Sequence, residues 1–155
     1  MDDFQIVHIP EMLIVGIETK IKGDKEQLYK NVESLWSRFL REGVMNKIPH
    51  QKDNEILNIY SEYKKDNPVP QNCIMGKRVE FIDKKLPKGV MSIEIPAGKY
   101  MKFTAKGALP NCVREMWEFI HELEPEFSYA PSFEIYGPKT ADPDNAEIDI
   151  YVAVK

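Results

Sequence analysis

The sequence has little cysteine and no long hydrophobic run. Its two cysteines, Cys73 and Cys112, are too few and too far apart for a disulfide framework or a Cys-x-x-Cys metal knuckle, so we expect both to be reduced. No stretch reaches the roughly 18 apolar residues of a membrane span, and the opening MDDFQIVHIPEM lacks the basic and apolar regions of a secretory signal. The sequence therefore predicts a cytoplasmic protein without a membrane partner.

The motifs of the common cofactor and nucleophile sites are also missing. There is no GxSxG elbow, Walker loop or GxGxxG fingerprint, so no cofactor is expected. Three histidines without paired ligand spacing predict no metal site: His8, His50 and His121. With 21 basic and 25 acidic residues the net charge is −4, which gives no global field for a phosphate backbone. Direct binding of nucleic acid is not expected.

What is present is the composition and patterning of one folded unit. Hydrophobic residues make up 43% of the chain, charged residues 30% and aromatic residues 10%, which predicts a single globular domain over residues 1–155. Apolar residues at three- and four-residue steps predict amphipathic helices near 24–41 and 110–123. Strand-like alternation occurs at 4–9, 12–19, 55–63, 73–83, 89–95, 99–106, 132–137 and 147–154.

An internal repeat organises these elements. VHIP at 7–10 matches IEIP at 93–96, LNIY at 57–60 matches FEIY at 133–136, and each helix between them carries one tryptophan. We therefore predict an α+β fold: one antiparallel sheet made of two pseudo-symmetric ββαββ-like halves, with two helices packed on it. The halves would span about 1–84 and 85–155, and the seam between them is the natural place for a cleft.

Three predicted strands place a tyrosine on the same face as a carboxylate or amide. Alternation along each strand gives the pairs Asn58 and Tyr60, Glu134 and Tyr136, and Asp149 and Tyr151. If these faces converge, they form an aromatic-walled pocket with a negative group, suited to a lipophilic cation. The alternative is that these residues form the solvated face of a sheet, and that both tryptophans, Trp36 and Trp117, are core residues.

Seven segments, in order along the chain, resemble one known family. They are IPEMLIVGIET, SLWSRF, IYSEY, GVMSIEIPAGKYMKFTAKG, MWEFI, SFEIYGP and DPDNAEIDIYVAVK. On these segments the chain resembles the GyrI-like, or AraC effector-binding, domain, which occurs in multidrug-responsive regulators and as a free-standing protein. The resemblance implies two pseudo-twofold halves and an effector cleft in which an acidic residue meets cationic hydrophobic compounds. That acid corresponds to Glu134, and the aromatic positions correspond to Tyr60, Tyr100, Trp117 and Tyr151.

The leading hypothesis is a stand-alone protein that senses or sequesters hydrophobic cations, with Glu134 as the charge partner. Its expected ligand-binding walls are Tyr60, Tyr100, Trp117, Tyr136 and Tyr151. The first alternative is a hydrolase of electrophilic small molecules in the same cleft, with Glu134 as general base and a tyrosine, Tyr151, as proton donor. The second is a protein that acts on a partner such as gyrase or a regulator. The chain lacks the helix-turn-helix of the regulators, so direct promoter binding is not expected.

Overall fold

The computed structural model describes residues 4–64, 69–128 and 130–155, and in these residues eight strands form one antiparallel sheet. No helix of the described residues is long and apolar enough to cross a membrane. The strands are β1 (Gln5–Ile9), β2 (Met12–Lys20), β3 (Ile56–Ser61), β4 (Asn72–Arg78), β5 (Met91–Ile95), β6 (Gly98–Gly107), β7 (Ser132–Tyr136) and β8 (Ala146–Ala153). The helices are α1 (Lys25–Arg41), the short α2 (Val44–Lys47) and α3 (Asn111–Leu123), with a 3₁₀ turn at Pro138–Thr140.

The order of the strands has an internal twofold relation. The sheet runs β1-β6-β8-β7-β3-β4-β2-β5, and exchanging each of β1 to β4 with its counterpart among β5 to β8 gives the same order reversed. Strands β3 and β7 therefore meet at the centre, while β1 pairs with β6 and β5 pairs with β2. The predicted α+β fold, an antiparallel sheet of two similar halves with two helices, is confirmed.

Local signals in the sequence explain where α1 begins and ends. The Asp24 side chain accepts a hydrogen bond from the backbone N–H of Gln27 at 3.1 Å, which satisfies one of the free donors of the first turn. Gly43 follows the last turn in the left-handed region, with φ of 61°, where glycine is favoured. Leu35 and Phe39 are buried on the sheet side, whereas Leu40 is 60% exposed.

Both long helices cover the same face of the sheet. Helix α1 packs over β2 and β4 through residues such as Phe39, and α3 packs over β6 and β8 through residues such as Ile120. No helix of the described residues covers the opposite face, yet Leu57 and Phe133 are buried there because the sheet curls and packs this face against itself. The helix-covered side of β3 and β7 lies between the two helical clusters, and it is there that a cavity opens.

Candidate functional site

A cavity of about 780 Å³ lies between α1 and α3, above the central pair of strands. This volume is within the range of small-molecule sites. Strands β3 and β7 form its floor, the two helices form its walls, and the residues around Pro138 close one end. The lining is mostly apolar and aromatic, with three charged side chains: Glu33, Arg114 and Glu134.

Glu134 is a buried carboxylate that accepts four hydrogen bonds. Its side chain is on β7 and the residue is only 1% exposed. Oε1 accepts from Asn58 Nδ2 at 3.1 Å and from the Tyr136 hydroxyl at 2.7 Å. Oε2 accepts from Trp117 Nε1 at 2.7 Å and from the Tyr60 hydroxyl at 3.0 Å. A buried charge is costly unless it is paired or hydrogen-bonded, and these four donors replace the water that the carboxylate has lost.

The donors of Glu134 are themselves held by a second set of hydrogen bonds. Asn58 Nδ2 also donates to the Tyr60 hydroxyl at 2.9 Å, and Asn58 Oδ1 accepts from the Cys73 thiol at 2.8 Å. Asn58 is fully buried and lies directly across from Glu134 in the pairing of β3 with β7. The network therefore fixes the amide with its N–H groups towards the carboxylate, which pre-organises the site around a negative charge.

Two pairs of aromatic rings flank the carboxylate. Trp36 on α1 meets Tyr136 edge to face at a centroid distance of 5.0 Å, and Trp117 on α3 meets Tyr60 in the same way at 5.7 Å. Each pair joins a helix of one half to a central strand of the other half. Ring faces carry negative quadrupole charge, so this arrangement surrounds the cavity with surfaces that attract cations.

Burial shifts the ionisation of the groups around the cavity. Loss of water raises the pKa of Glu134 above its ordinary value, while the four hydrogen bonds lower it and offset part of that shift. Burial and the adjacent Glu134 charge raise the pKa of Tyr60 and of Tyr136 well above the usual tyrosine range. Both hydroxyls therefore remain protonated at neutral pH and serve Glu134 as donors.

The rim of the cavity is spanned by side chains from the two helices. Arg114 on α3 forms an ion pair with Glu33 on α1, with Nη2 and Oε1 3.1 Å apart, and its guanidinium lies 4.3 Å from the centroid of the Tyr29 ring. One turn away, Lys25 of α1 and Glu118 of α3 are 3.6 Å apart. Exposed ion pairs of this kind contribute little to stability.

Comparison with known proteins identifies the family. Residues 5–154 match the Cass2 family, described as integron-associated effector binding protein. The chain belongs to this family. The GyrI-like resemblance inferred from the sequence is thereby confirmed.

Relatives of this Cass2-family chain are similar along nearly their whole length. It is 25% identical over 155 residues to YobU of Bacillus subtilis (strain 168), a candidate transcriptional regulator, covering 97% of this chain and 96% of YobU. Its fold matches SAV2435, solved bound to tetraphenylphosphonium, with a TM-score of 0.82, 21% identity, and coverage of 99% of this chain and 94% of SAV2435. Its fold also matches the integron cassette protein VCH_CASS2 of Vibrio cholerae, with a TM-score of 0.70, 18% identity, and coverage of 99% of this chain and 97% of VCH_CASS2.

In this Cass2-family chain, four of the six residues selected from the sequence come together. Glu134, Tyr60, Trp117 and Tyr136 line the cavity and form one hydrogen-bonded group. Among the described residues, no group of three or more histidine, cysteine, aspartate or glutamate side chains is arranged to hold a metal ion.

Tyr100 and Tyr151 lie on the opposite face of the sheet. Tyr151 on β8 is paired with Phe133 on β7, and residues paired across two strands lie on the same face of the sheet. The Tyr151 ring therefore stacks on the Phe133 ring, with 4.8 Å between their centroids, and does not lie beside Glu134. Tyr100 is 1% exposed in the same cluster, where its ring meets Phe133 at 5.5 Å. The expectation that Tyr100 and Tyr151 wall the cavity is therefore corrected, and the Glu134–Tyr151 pair of the hydrolase alternative is not brought together.

The site also contains residues that were not selected from the sequence, among them Tyr29, Glu33, Trp36, Asn58 and Arg114. Asn58 binds Glu134 directly, and the other four line the cavity. The internal repeat contains the signal for two of them, because Asn58 corresponds to Glu134 and Trp36 to Trp117. Tyr29, Glu33 and Arg114 lie on helical surfaces with no distinguishing pattern, and only the spacing of α1 and α3 brings them together.

Proposed function

We propose that this protein binds lipophilic monocations in the cavity between α1 and α3, and that it acts as a sensor or sequestering protein. The single observation that carries the proposal is the buried carboxylate of Glu134, which lies beneath an aromatic cavity with four hydrogen-bond donors in place. The SAV2435 fold, solved with tetraphenylphosphonium, supports the same ligand class.

Electrostatics favour a cation in this cavity over a neutral or anionic molecule. A charge near Glu134 interacts through a medium of lower dielectric than water, so the attraction is stronger than at an exposed site. The oxygens of Glu134 are already occupied by donors, so the ligand need not hydrogen-bond to them. An aromatic cation that has no N–H groups and whose charge is shielded by apolar rings fits that condition best. Such a cation contacts the tryptophan and tyrosine rings and is attracted by the Glu134 charge at short range.

The first prediction concerns the sign of the ligand charge. Tetraphenylphosphonium and tetraphenylborate have the same shape and opposite charge, so a comparison between them isolates electrostatics. We expect isothermal titration calorimetry to show binding of the phosphonium at least tenfold tighter than binding of the borate, because only the cation is attracted by Glu134. Equal affinities would show that the cavity selects by shape alone and would refute a binding site specific for cations.

The second prediction concerns the donor that α3 supplies. Trp117→Phe keeps a ring in the wall but removes the N–H that binds Glu134 Oε2 at 2.7 Å. That hydrogen bond lowers the pKa of Glu134, so its loss raises the pKa further. Only the ionised carboxylate attracts a cation, so affinity falls as pH decreases through this pKa. We expect the midpoint of that fall to move up by about one pH unit.

The matched control for this prediction is Trp36→Phe. Trp36 lines the same cavity from the other helix but is not among the donors of Glu134, so the midpoint should stay within about 0.3 units of the wild type. Tetraphenylphosphonium affinity is measured by calorimetry between pH 4 and 8 for both variants. The variant Glu33→Gln is measured in the same way, because it removes the ionisable carboxylate at the rim of the cavity. Equal shifts in the two tryptophan variants would show that ring packing, and not the N–H donor, controls the titration.

A further inference from the structure

A second cavity, of about 330 Å³, lies on the far side of the wall formed by Tyr29, Tyr60 and Trp117. These three residues line both cavities. The second cavity is at the lower end of the size range of ligand sites, which suits a molecule of one or two fused rings. The proposed binding of a cation near Glu134 does not involve this second cavity.

The shared wall is held in place from the first cavity. The Trp117 N–H and the Tyr60 hydroxyl both donate to Glu134, and the two rings pack edge to face. Rotation of either ring into the second cavity would remove one of the four donors of the buried carboxylate, at a cost of about 1–3 kcal/mol. The two cavities are therefore separate compartments as long as the hydrogen bonds to Glu134 are intact.

The chemistry of the second cavity differs from that of the first. Among the described residues that line it, none is a carboxylate, so a cation has no anionic partner in the lining. Lys25 is the one lining cation in that set, and it faces Glu118 at 3.6 Å. Burial, with a smaller contribution from Lys25, lowers the pKa of His121, so this imidazole is neutral at pH 7. An uncharged occupant fits these surroundings better than either kind of ion.

The walls of the second cavity are predominantly aromatic. Of the nine described residues that line it, five have aromatic rings: Tyr29, Tyr60, Tyr63, Trp117 and His121. The buried hydroxyl of Tyr29 has no hydrogen-bond partner among the described residues. An unsatisfied buried hydroxyl is unfavourable, and because Tyr29 lines both cavities, an occupant of the second cavity whose oxygen substituent reaches this hydroxyl would supply the missing partner.

We propose that the second cavity is a separate binding site for a small uncharged aromatic molecule bearing a hydroxyl or carbonyl group, occupied independently of the cation. The occupant packs on the side of Trp117 and Tyr60 that faces away from the first cavity. It therefore buttresses the two donors of Glu134 instead of displacing the cation. The two ligands bind together and do not compete.

The experiment uses 2-naphthol as the uncharged probe and tetraphenylphosphonium as the cation. Calorimetric titration of 2-naphthol is carried out on the free protein and on protein saturated with the cation, which blocks the first cavity. We expect the two affinities to agree within threefold. Leu28→Trp fills the second cavity from α1 and is expected to weaken 2-naphthol at least tenfold, whereas the matched variant Leu28→Ala should retain binding, because it enlarges the same space.

Two further measurements keep the outcome decisive. Nuclear Overhauser contacts between naphthol protons and the Leu28 methyl groups in the wild-type protein locate the probe without any substitution. Cation affinity in Leu28→Trp must remain within threefold of the wild type, which shows that the variant folds. Competition between probe and cation, or contacts to Val32 and Val113 of the first cavity in place of Leu28, would overturn the second site. Either result would leave the proposed binding of cations at Glu134 unaffected.

Discussion

Glu134→Gln is expected to weaken tetraphenylphosphonium binding about 100-fold at pH 7, equivalent to about 2.7 kcal/mol, because it removes the buried anion and leaves the aromatic walls in place. The side chain keeps its shape, so shape complementarity is retained. Calorimetry with the wild type and the variant measures the change directly. Tetraphenylborate, tested on the same two proteins, should bind the variant at least as well as the wild type, because the repulsive charge is gone.

The glutamine can be accommodated within the existing network. Its carbonyl can replace Oε2 and accept from Trp117 and Tyr60, while its amide replaces Oε1. The Tyr136 hydroxyl can turn to accept, and Asn58 can flip so that its carbonyl faces the new N–H groups, although this gives up its present hydrogen bonds with Tyr60 and Cys73. We therefore expect the thermal midpoint to change by only a few degrees, so that a loss of binding cannot be attributed to unfolding.

The matched control is Glu122→Gln, an isosteric change at an exposed position on the same helix as Trp117. It removes one negative charge from the protein without touching the cavity, and screening at physiological salt makes its effect on binding small. Affinity should remain within twofold of the wild type. Unchanged affinity in Glu134→Gln, or a similar loss in both variants, would contradict the assignment of Glu134 as the charge partner.

The sequence predicts the central part of this site because strand alternation and the repeat agree there. Glu134 and Tyr136 are two residues apart on β7, and Tyr60 occupies the corresponding place on β3, so all three face the same way once the repeats meet at the seam. The palindromic strand order follows from the same duplication. The one further condition for placing these three residues together is that β3 and β7 are neighbouring strands.

Tyr151 could not be placed in this way because its face depends on register. Alternation separates Tyr151 from Ile150 on β8, but it does not say which of the two shares a face with Glu134. The pairing settles this, since Glu134 faces Ile150 across the strands. A shift of one residue would have reversed the result, and no local pattern in the sequence fixes that register.

The duplication also explains why the central strands β3 and β7 bring one carboxylate, and not two, to the floor of the cavity. Glu134 and Asn58 are related by the 76-residue displacement (134 − 58) that also relates Tyr136 and Tyr60 (136 − 60). They face each other across the pseudo-twofold axis, 3.1 Å apart at Oε1 and Nδ2. Two carboxylates at that distance would share a proton, because like charges so close cannot both ionise. The amide at position 58 keeps the acid ionisable and supplies a donor.

The last prediction concerns the backbone that sets the position of β3. Gly16 on β2 and Gly76 on β4 face each other, and a Cβ atom on Gly76 would meet the carbonyl oxygen of Val15 at a distance no real side chain adopts. Because the obstacle is backbone, it cannot rotate away, and the two strands must separate. We expect Gly76→Ala to lower the free energy of unfolding by about 3 kcal/mol and the thermal midpoint by about 10 °C.

Gly98→Ala is the matched control, because a Cβ atom there meets nothing within 4 Å. Its free energy of unfolding should stay within about 0.5 kcal/mol of the wild type. Gly76 also pairs with Leu57, next to Asn58, so forcing β4 away from β2 displaces the strand that carries half of the site. Tetraphenylphosphonium affinity should therefore fall in Gly76→Ala at a temperature where the variant is still folded. An unchanged melting curve in Gly76→Ala would show that the close approach of β2 and β4 does not exist in solution.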